Sequence, residues 1–150
     1  MLVNTLQLVH KKKKLVHRDI TLSNMFKFKG KFLLNDWGCA TEINKQTSFS
    51  GSLIFAPDHI LKLIHQFSSL DINYTPQPAD DLEMIVKCLY SRLNPTFLTI
   101  IQSDNLSNDA RLLLSFWHRE LSPTIWQNLL KFARKTEYES FCGVIRDLLA

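Results

Sequence analysis

"LVHRDITLSN", Leu15 to Asn24, sets an Arg, an Asp and an Asn directly behind an apolar dipeptide. Alone the stretch decides little. A His-Arg-Asp triplet arises by chance, and an Asp with an Asn a few residues on is a common turn. Its meaning depends on whether the rest of the chain brings partners to Asp19 and Asn24.

The next stretch does so. In "MFKFKGKFLLNDWG" (25–38), Phe26 and Phe28 alternate with Lys27 and Lys29, Gly30 supplies a turn, and Phe32 to Leu34 return. That pattern predicts a β-hairpin. Asp36 ends the returning arm and Gly38 lets the chain turn away. A hairpin of this length brings Asp36 back beside Asn24, so Asp19, Asn24 and Asp36 converge at one end of a small sheet. Oxygen donors of this kind suit magnesium, which is held by one or two side chains together with substrate phosphates.

Working outward, Leu2, Leu6 and Val9 recur at helical spacing, and Leu15 to His17 read as a short strand. Residues 39–52 are polar and aperiodic, which predicts a long loop. After Pro57 the chain reads helical. Ile60, Ile64 and Phe67 share one face, the prolines of "SSLDINYTPQP" interrupt, and Leu82, Ile85, Val86 and Leu89 form an apolar stripe. Asn94-Pro95 stops that helix. Three further stripes follow: Leu112, Leu113, Phe116 and Trp117; Trp126, Leu129, Leu130 and Ala133; Phe141, Val144, Ile145 and Leu148. The fold class is α+β, mainly α: short strands and hairpins followed by a helical bundle, in one domain over 1–150.

Composition bounds the function. The chain has 150 residues, 45% hydrophobic and 21% charged, enough for one cored domain. No apolar run reaches membrane-spanning length. The N-terminus is apolar first and basic second, the reverse of a secretory signal, so the expected location is cytoplasmic or nuclear. Net charge is +4. The run Lys11 to Lys14 has no interleaved aromatic residue, so it reads as a solvated turn; neither nucleic acid nor membrane is expected as a partner. Cys39, Cys88 and Cys142 are scattered and odd in number, the usage of free thiols in a reducing compartment.

With these motifs in order, the chain resembles the eukaryotic protein kinase family. "HRDITLSN" is similar to the catalytic loop H-R-D-x-x-x-x-N, and "DWG" to the metal-binding D-F-G. "GSLIFAPD" is similar to the loop before the substrate site, and "DDLE" to the start of the long central helix. The last two look most like the casein kinase branch and fungal kinase-like proteins. The resemblance implies a kinase-like C-terminal lobe acting with ATP and Mg2+ on Ser or Thr of a protein substrate. Asp19 would accept the hydroxyl proton; Asn24, counted with the catalytic loop, and Asp36 would hold magnesium. His17 would pin the backbone near Asp36, Arg18 would meet an anion in the following loop, and Gly38 would shape the turn. Asp81 would brace the catalytic loop through its backbone. Gly51 and Ser52 would form the substrate loop. Thr41, Thr47, Ser48 and Ser50 are the loop hydroxyls open to phosphorylation.

Departures accompany the likeness. Thr21 stands where many Ser/Thr kinases carry a Lys, Asp58 replaces the A-P-E glutamate and leaves its usual Arg pairing open, and the loop 51–57 is one residue short. Sixteen residues precede His17, and the four glycines, Gly30, Gly38, Gly51 and Gly143, cannot form G-x-G-x-x-G. The expectation is therefore a catalytic lobe without its N-terminal lobe. Such a lobe would bind ATP poorly, be inactive alone, and expose apolar surface on the first helix and the Leu15-Val16 strand for a docking partner. The alternative is a pseudokinase-like module that docks a protein without catalysis. A small-molecule kinase fits less well, because Arg18 and the loop 51–57 point to a protein substrate.

Overall fold

The computed structural model describes residues 2–103 and 109–150. It is a mainly helical α+β structure with three two-stranded antiparallel sheets. α1 (Leu2–Leu8) runs into a wide turn over Val9–Lys13, closed by Lys14 in the left-handed region (φ 56°). β1 (Leu15–Val16) follows, then the hairpin β2 (Met25–Phe28) and β3 (Lys31–Leu34). The hairpin turn places Lys29 and Gly30 at positive φ, the tight geometry that suits the strand twist.

The expected loop over 39–52 is corrected in part. It contains β4 (Thr41–Glu42), paired with β1, and β5 (Thr47–Ser48), paired with β6 (Asn73–Tyr74). Strands of two residues carry no period of their own, and their partners lie far away in sequence.

The helices are α2 (Asp58–Phe67), α3 (Pro78–Leu93), α4 (Thr96–Ser103), α5 (Ala110–Glu120), α6 (Thr124–Arg134) and α7 (Tyr138–Leu149). α3 packs on α6, α2 on α5, and α7 on both α6 and α1. Pro78 opens α3, where its missing N–H costs nothing, and Asp80 accepts the Gln77 N–H at 2.9 Å. Asn94 ends it as expected. Asp109 caps α5 by accepting the N–H groups of Arg111 and Leu112. The apolar core runs from Leu2 on α1 to Ile145 on α7. Three expected core positions lie outside it: Val9 is half-buried and apart from the core, Phe67, in the last turn of α2, is 61% exposed, and Leu112 also faces solvent. Leu61 takes the buried place beside Ile60 and Ile64.

α3 is the hub, buried on all sides from Asp80 to Cys88. Its charged residues must therefore find partners, because a buried unpaired charge is very costly. Each does. Asp80 meets His59, Asp81 accepts two backbone N–H groups, Glu83 meets Arg134, and Lys87 meets Asp58. Among the described residues no buried side-chain nitrogen or oxygen lacks a partner.

The apolar exposure expected on the first helix and the Leu15-Val16 strand is met in part: Leu2, Val3, Leu6 and Val16 are buried, Leu8 of α1 is exposed, and the hairpin adds the exposed Phe26, Phe28, Phe32 and Leu33. The three cysteines are free. Among the described residues no helix is long and apolar enough to cross a membrane.

Candidate active site

The connection from β1 to β2 carries His17, Arg18, Asp19 and Asn24, and α3 holds it. The N–H of His17 donates to Asp81 Oδ2 at 2.7 Å and that of Arg18 to Asp81 Oδ1 at 2.9 Å. One buried carboxylate thus fixes two successive peptide units. Arg18 is held there at φ 73°, a strained conformation for a residue with a side chain. The bend turns the Asp19 side chain toward the loop 48–52 and toward Asn24.

Asp19 is half-buried and held by two donors. Its Oδ1 accepts the Ser52 N–H at 2.8 Å, and its Oδ2 accepts from Asn24 Nδ2 at 3.2 Å. Asn24 Nδ2 also donates to the Asp19 carbonyl at 2.9 Å, which leaves the Asn24 side-chain oxygen as its remaining acceptor. The hairpin register then brings in Asp36. Met25 pairs with Leu34, and one step back the Asn35 N–H donates to the Asn24 carbonyl at 2.8 Å. Asp36 follows at φ 56°, exposed, its carboxylate accepting among the described residues only the Gly38 N–H at 3.3 Å. Asp36 and the Asn24 oxygen have free lone pairs, the donor set of a cation shared with a substrate's phosphates. Among the described residues no group of three His, Cys, Asp or Glu side chains is placed to hold a metal ion.

His17 ties the two arms together. Its Nε2 donates to the Asn35 carbonyl at 2.8 Å, its Nδ1 accepts the Asp19 N–H at 3.3 Å, and Trp37 packs edge-on against its ring at 4.6 Å. Gly51 permits the closest approach. At φ 105°, its absent Cβ would stand 2.5 Å from the Arg18 carbonyl and 3.2 Å from Asp19 Oδ1. Only glycine fits there.

Arg18 is held by neutral oxygens. Buried, it donates from Nε to the Tyr74 hydroxyl at 3.0 Å, from one terminal nitrogen to the Cys39 carbonyl at 3.0 Å, and from the other to the Ser48 carbonyl. Burial pushes the Tyr74 hydroxyl upward against the opposing Arg18 charge, so Tyr74 stays a neutral acceptor. The loop is thus held through its backbone. Of the loop hydroxyls, Thr41 lies in β4, Thr47 and Ser48 in β5, and Ser50 contacts the Cys39 thiol at 3.0 Å.

Asp58 has its cationic partners despite the shorter side chain. It accepts from Lys87 Nζ and from Arg134, each at 3.0 Å, and Arg134 also reaches Glu83 at 3.2 Å. Three members of the site's support gave no signal in the sequence. Tyr74 holds Arg18, His10 Nε2 donates to Asp81 at 2.8 Å, and the Tyr138 hydroxyl meets His10 Nδ1 at 2.7 Å. Burial pushes the Tyr138 hydroxyl up to about 12. Spacings of 71 residues from His10 to Asp81 and 128 to Tyr138 leave no local pattern to read.

No family model and no curated protein sequence matches the chain. Among solved structures, the protein kinase PK-1 of Cydia pomonella granulovirus is similar at 18% sequence identity and a TM-score of 0.47. The similarity covers 60% of this chain and 30% of the viral kinase.

Proposed function

We propose that the chain is the catalytic, helical lobe of an ATP-dependent protein kinase that phosphorylates Ser or Thr. The observation that carries this reading is the set of bonds at Asp19. Its carboxylate is aimed by the Ser52 N–H and Asn24 Nδ2, while the Asn24–Asn35 backbone bond sets Asp36 alongside.

In this reading Asp19 receives the proton of the substrate hydroxyl and orients that oxygen for attack. Asn24, through its side-chain oxygen, and Asp36 hold magnesium. Bound ATP and magnesium supply the phosphoryl group and the charge that neutralises it. Asp81 and His17 are positioning residues, because they act through the backbone of Arg18 and Asn35. Ser52, beside Asp19, marks the edge along which a protein substrate lies. These 150 residues contain no glycine-rich loop to cover the phosphates.

Transfer is therefore measured on the chain joined to a lobe that carries a glycine-rich loop, with labelled ATP, magnesium and Ser- or Thr-containing peptides. Asp19→Asn lowers the rate by about two to four orders of magnitude, the usual worth of a positioned base. A wild-type rate in Asp19→Asn would contradict the mechanism. The exposed apolar hairpin favours a second reading, a pseudokinase-like docking module. That reading expects partner binding and no transfer in the same assay.

A further inference from the structure

Lys11, Lys12, Lys13 and Lys14 are all exposed, yet His10, immediately before them, is 2% exposed. The wide turn over Val9–Lys13 winds more loosely than an α-helix, a local form that recurs at functional sites. It carries His10 inward, between α3 and α7. There Nε2 lies 2.8 Å from Asp81 Oδ2, and Nδ1 lies 2.7 Å from the Tyr138 hydroxyl. All three side chains are buried. Tyr138 opens α7, which packs on α1 and α6.

The hydrogens along this row of side chains follow one from another. Asp81 Oδ2 already accepts the His17 N–H at 2.7 Å, and Oδ1 accepts the Arg18 N–H at 2.9 Å. A carboxylate offers only lone pairs, so His10 must carry its hydrogen on Nε2 to meet Oδ2. The other nitrogen of a neutral imidazole is then bare and accepts. Tyr138 has the matching donor. Burial, with the Asp81 charge behind it, pushes its hydroxyl up to about 12, so the hydroxyl keeps its hydrogen at neutral pH. The opposite order fails. If Nδ1 donated to Tyr138, the buried phenol hydrogen would lack an acceptor, because His10 is its one hydrogen-bond partner among the described residues.

We propose that Tyr138 is a positioning residue of the Asp19 site. Its O–H fixes which nitrogen of His10 carries the hydrogen, His10 holds Asp81 in place, and Asp81 holds the two peptide N–H groups that lead into Asp19. Arg18 stands at a strained φ of 73°, which these bonds must hold. Without the Tyr138 oxygen, His10 Nδ1 becomes a buried acceptor with no donor, and the ring is free to turn or to exchange its hydrogen between nitrogens. Asp81 then loses a donor on the oxygen that also holds His17. The bearing of this link on phosphoryl transfer rests on the proposed kinase reading, whereas the bonds themselves do not.

Proton–nitrogen correlation spectra of the nitrogen-15-labelled chain, at about pH 8 and so above the ordinary imidazole range, read the His10 ring directly. They should show hydrogen on Nε2 and a bare, hydrogen-bonded Nδ1. Tyr138→Phe removes one oxygen and keeps the ring. It should move the backbone amide signals of His17 and Arg18, and speed their exchange at least about tenfold more than that of Leu129 and Leu130 in α6. Tyr90→Phe, which removes a hydroxyl bonded to Glu120 instead, is the control and should leave His17 and Arg18 unmoved. Hydrogen on Nδ1, or on both nitrogens, in the wild-type ring would overturn the proposal, and that spectrum carries the test if Tyr138→Phe fails to fold. Unmoved His17 and Arg18 signals in Tyr138→Phe, equal acceleration of all these amides, or the same response in Tyr90→Phe would overturn it as well. These measurements use the chain as it stands and require no transfer. A wild-type transfer rate in Asp19→Asn would therefore count against the kinase reading alone, and failure of these spectra against the Tyr138 link alone.

Discussion

Asp81 shows how much of the site single residues reveal. The resemblance assigns it to the backbone of the catalytic loop, and its two oxygens do accept the N–H groups of His17 and Arg18. His10 and Tyr138, which complete its surroundings, come from opposite ends of the chain and were not legible. Arg18 was legible as a loop anchor but not in its chemistry, since its partners are a tyrosine and two carbonyls rather than an acid. Carbonyl partners leave no trace in side-chain identity. Gly51 gives the sharpest test at this scale. Gly51→Ala sets a methyl group 2.5 Å from the Arg18 carbonyl and strains a backbone at φ 105°. Denaturant unfolding should show a loss of about 1–3 kcal/mol, and any transfer activity should fall with it as Asp19 is displaced. Unchanged stability and activity would mean that the close approach does not position the site.

Helix placement was legible because long amphipathic stripes announce themselves, and the hairpin was legible from its alternation and its Lys29-Gly30 turn. β4, β5 and β6 were not, because their order comes from pairing rather than local preference. The ion cluster joining α2, α3 and α6 also escaped the sequence, which left the partner of Asp58 open. Burial works to raise the Asp58 pKa, but the charge and hydrogen bond of Lys87, with Arg134 behind them, outweigh it and hold the carboxyl low. The two cations differ in weight. Lys87 is fully buried, and Lys87→Met leaves Asp58 and Glu83 without a buried counter-charge, at a cost of about 3–5 kcal/mol. Arg134 is half exposed, so Arg134→Met should cost about 1 kcal/mol or less. Urea unfolding of both variants measures this, and equal costs would contradict the assignment.

His59 links the same elements with the opposite pH dependence. Burial pulls its pKa down, yet the hydrogen bond and charge of Asp80, aided by Glu83 and Asp58, produce a net rise above 6.5. Its protonated form therefore stabilises the fold. That contribution is complete below 6.5 and disappears as pH rises through the raised folded value. The stability gap between wild type and His59→Gln should be larger at about pH 5.5 than at about pH 8.5. A gap that widens with pH would reverse the sign of the link.

Across the whole molecule, the order of strand, hairpin and helices places three oxygen-bearing side chains at one end of the hairpin, while α3 holds the connection beneath them. The order was readable in the sequence. The exposed apolar surface was legible only in part, because most of α1 and Val16 find cover inside these residues while Leu8 and the hairpin faces do not. The central claim is that Asn24 and Asp36, beside Asp19, form one cation site. Manganese, a paramagnetic stand-in for magnesium, tests it by selective broadening of backbone amide signals in the chain as it stands. The account predicts that signals around Asn24 and Asp36 broaden first and that Asp36→Asn removes the effect. Broadening centred on another acidic region, or the same pattern surviving in Asp36→Asn, would contradict it.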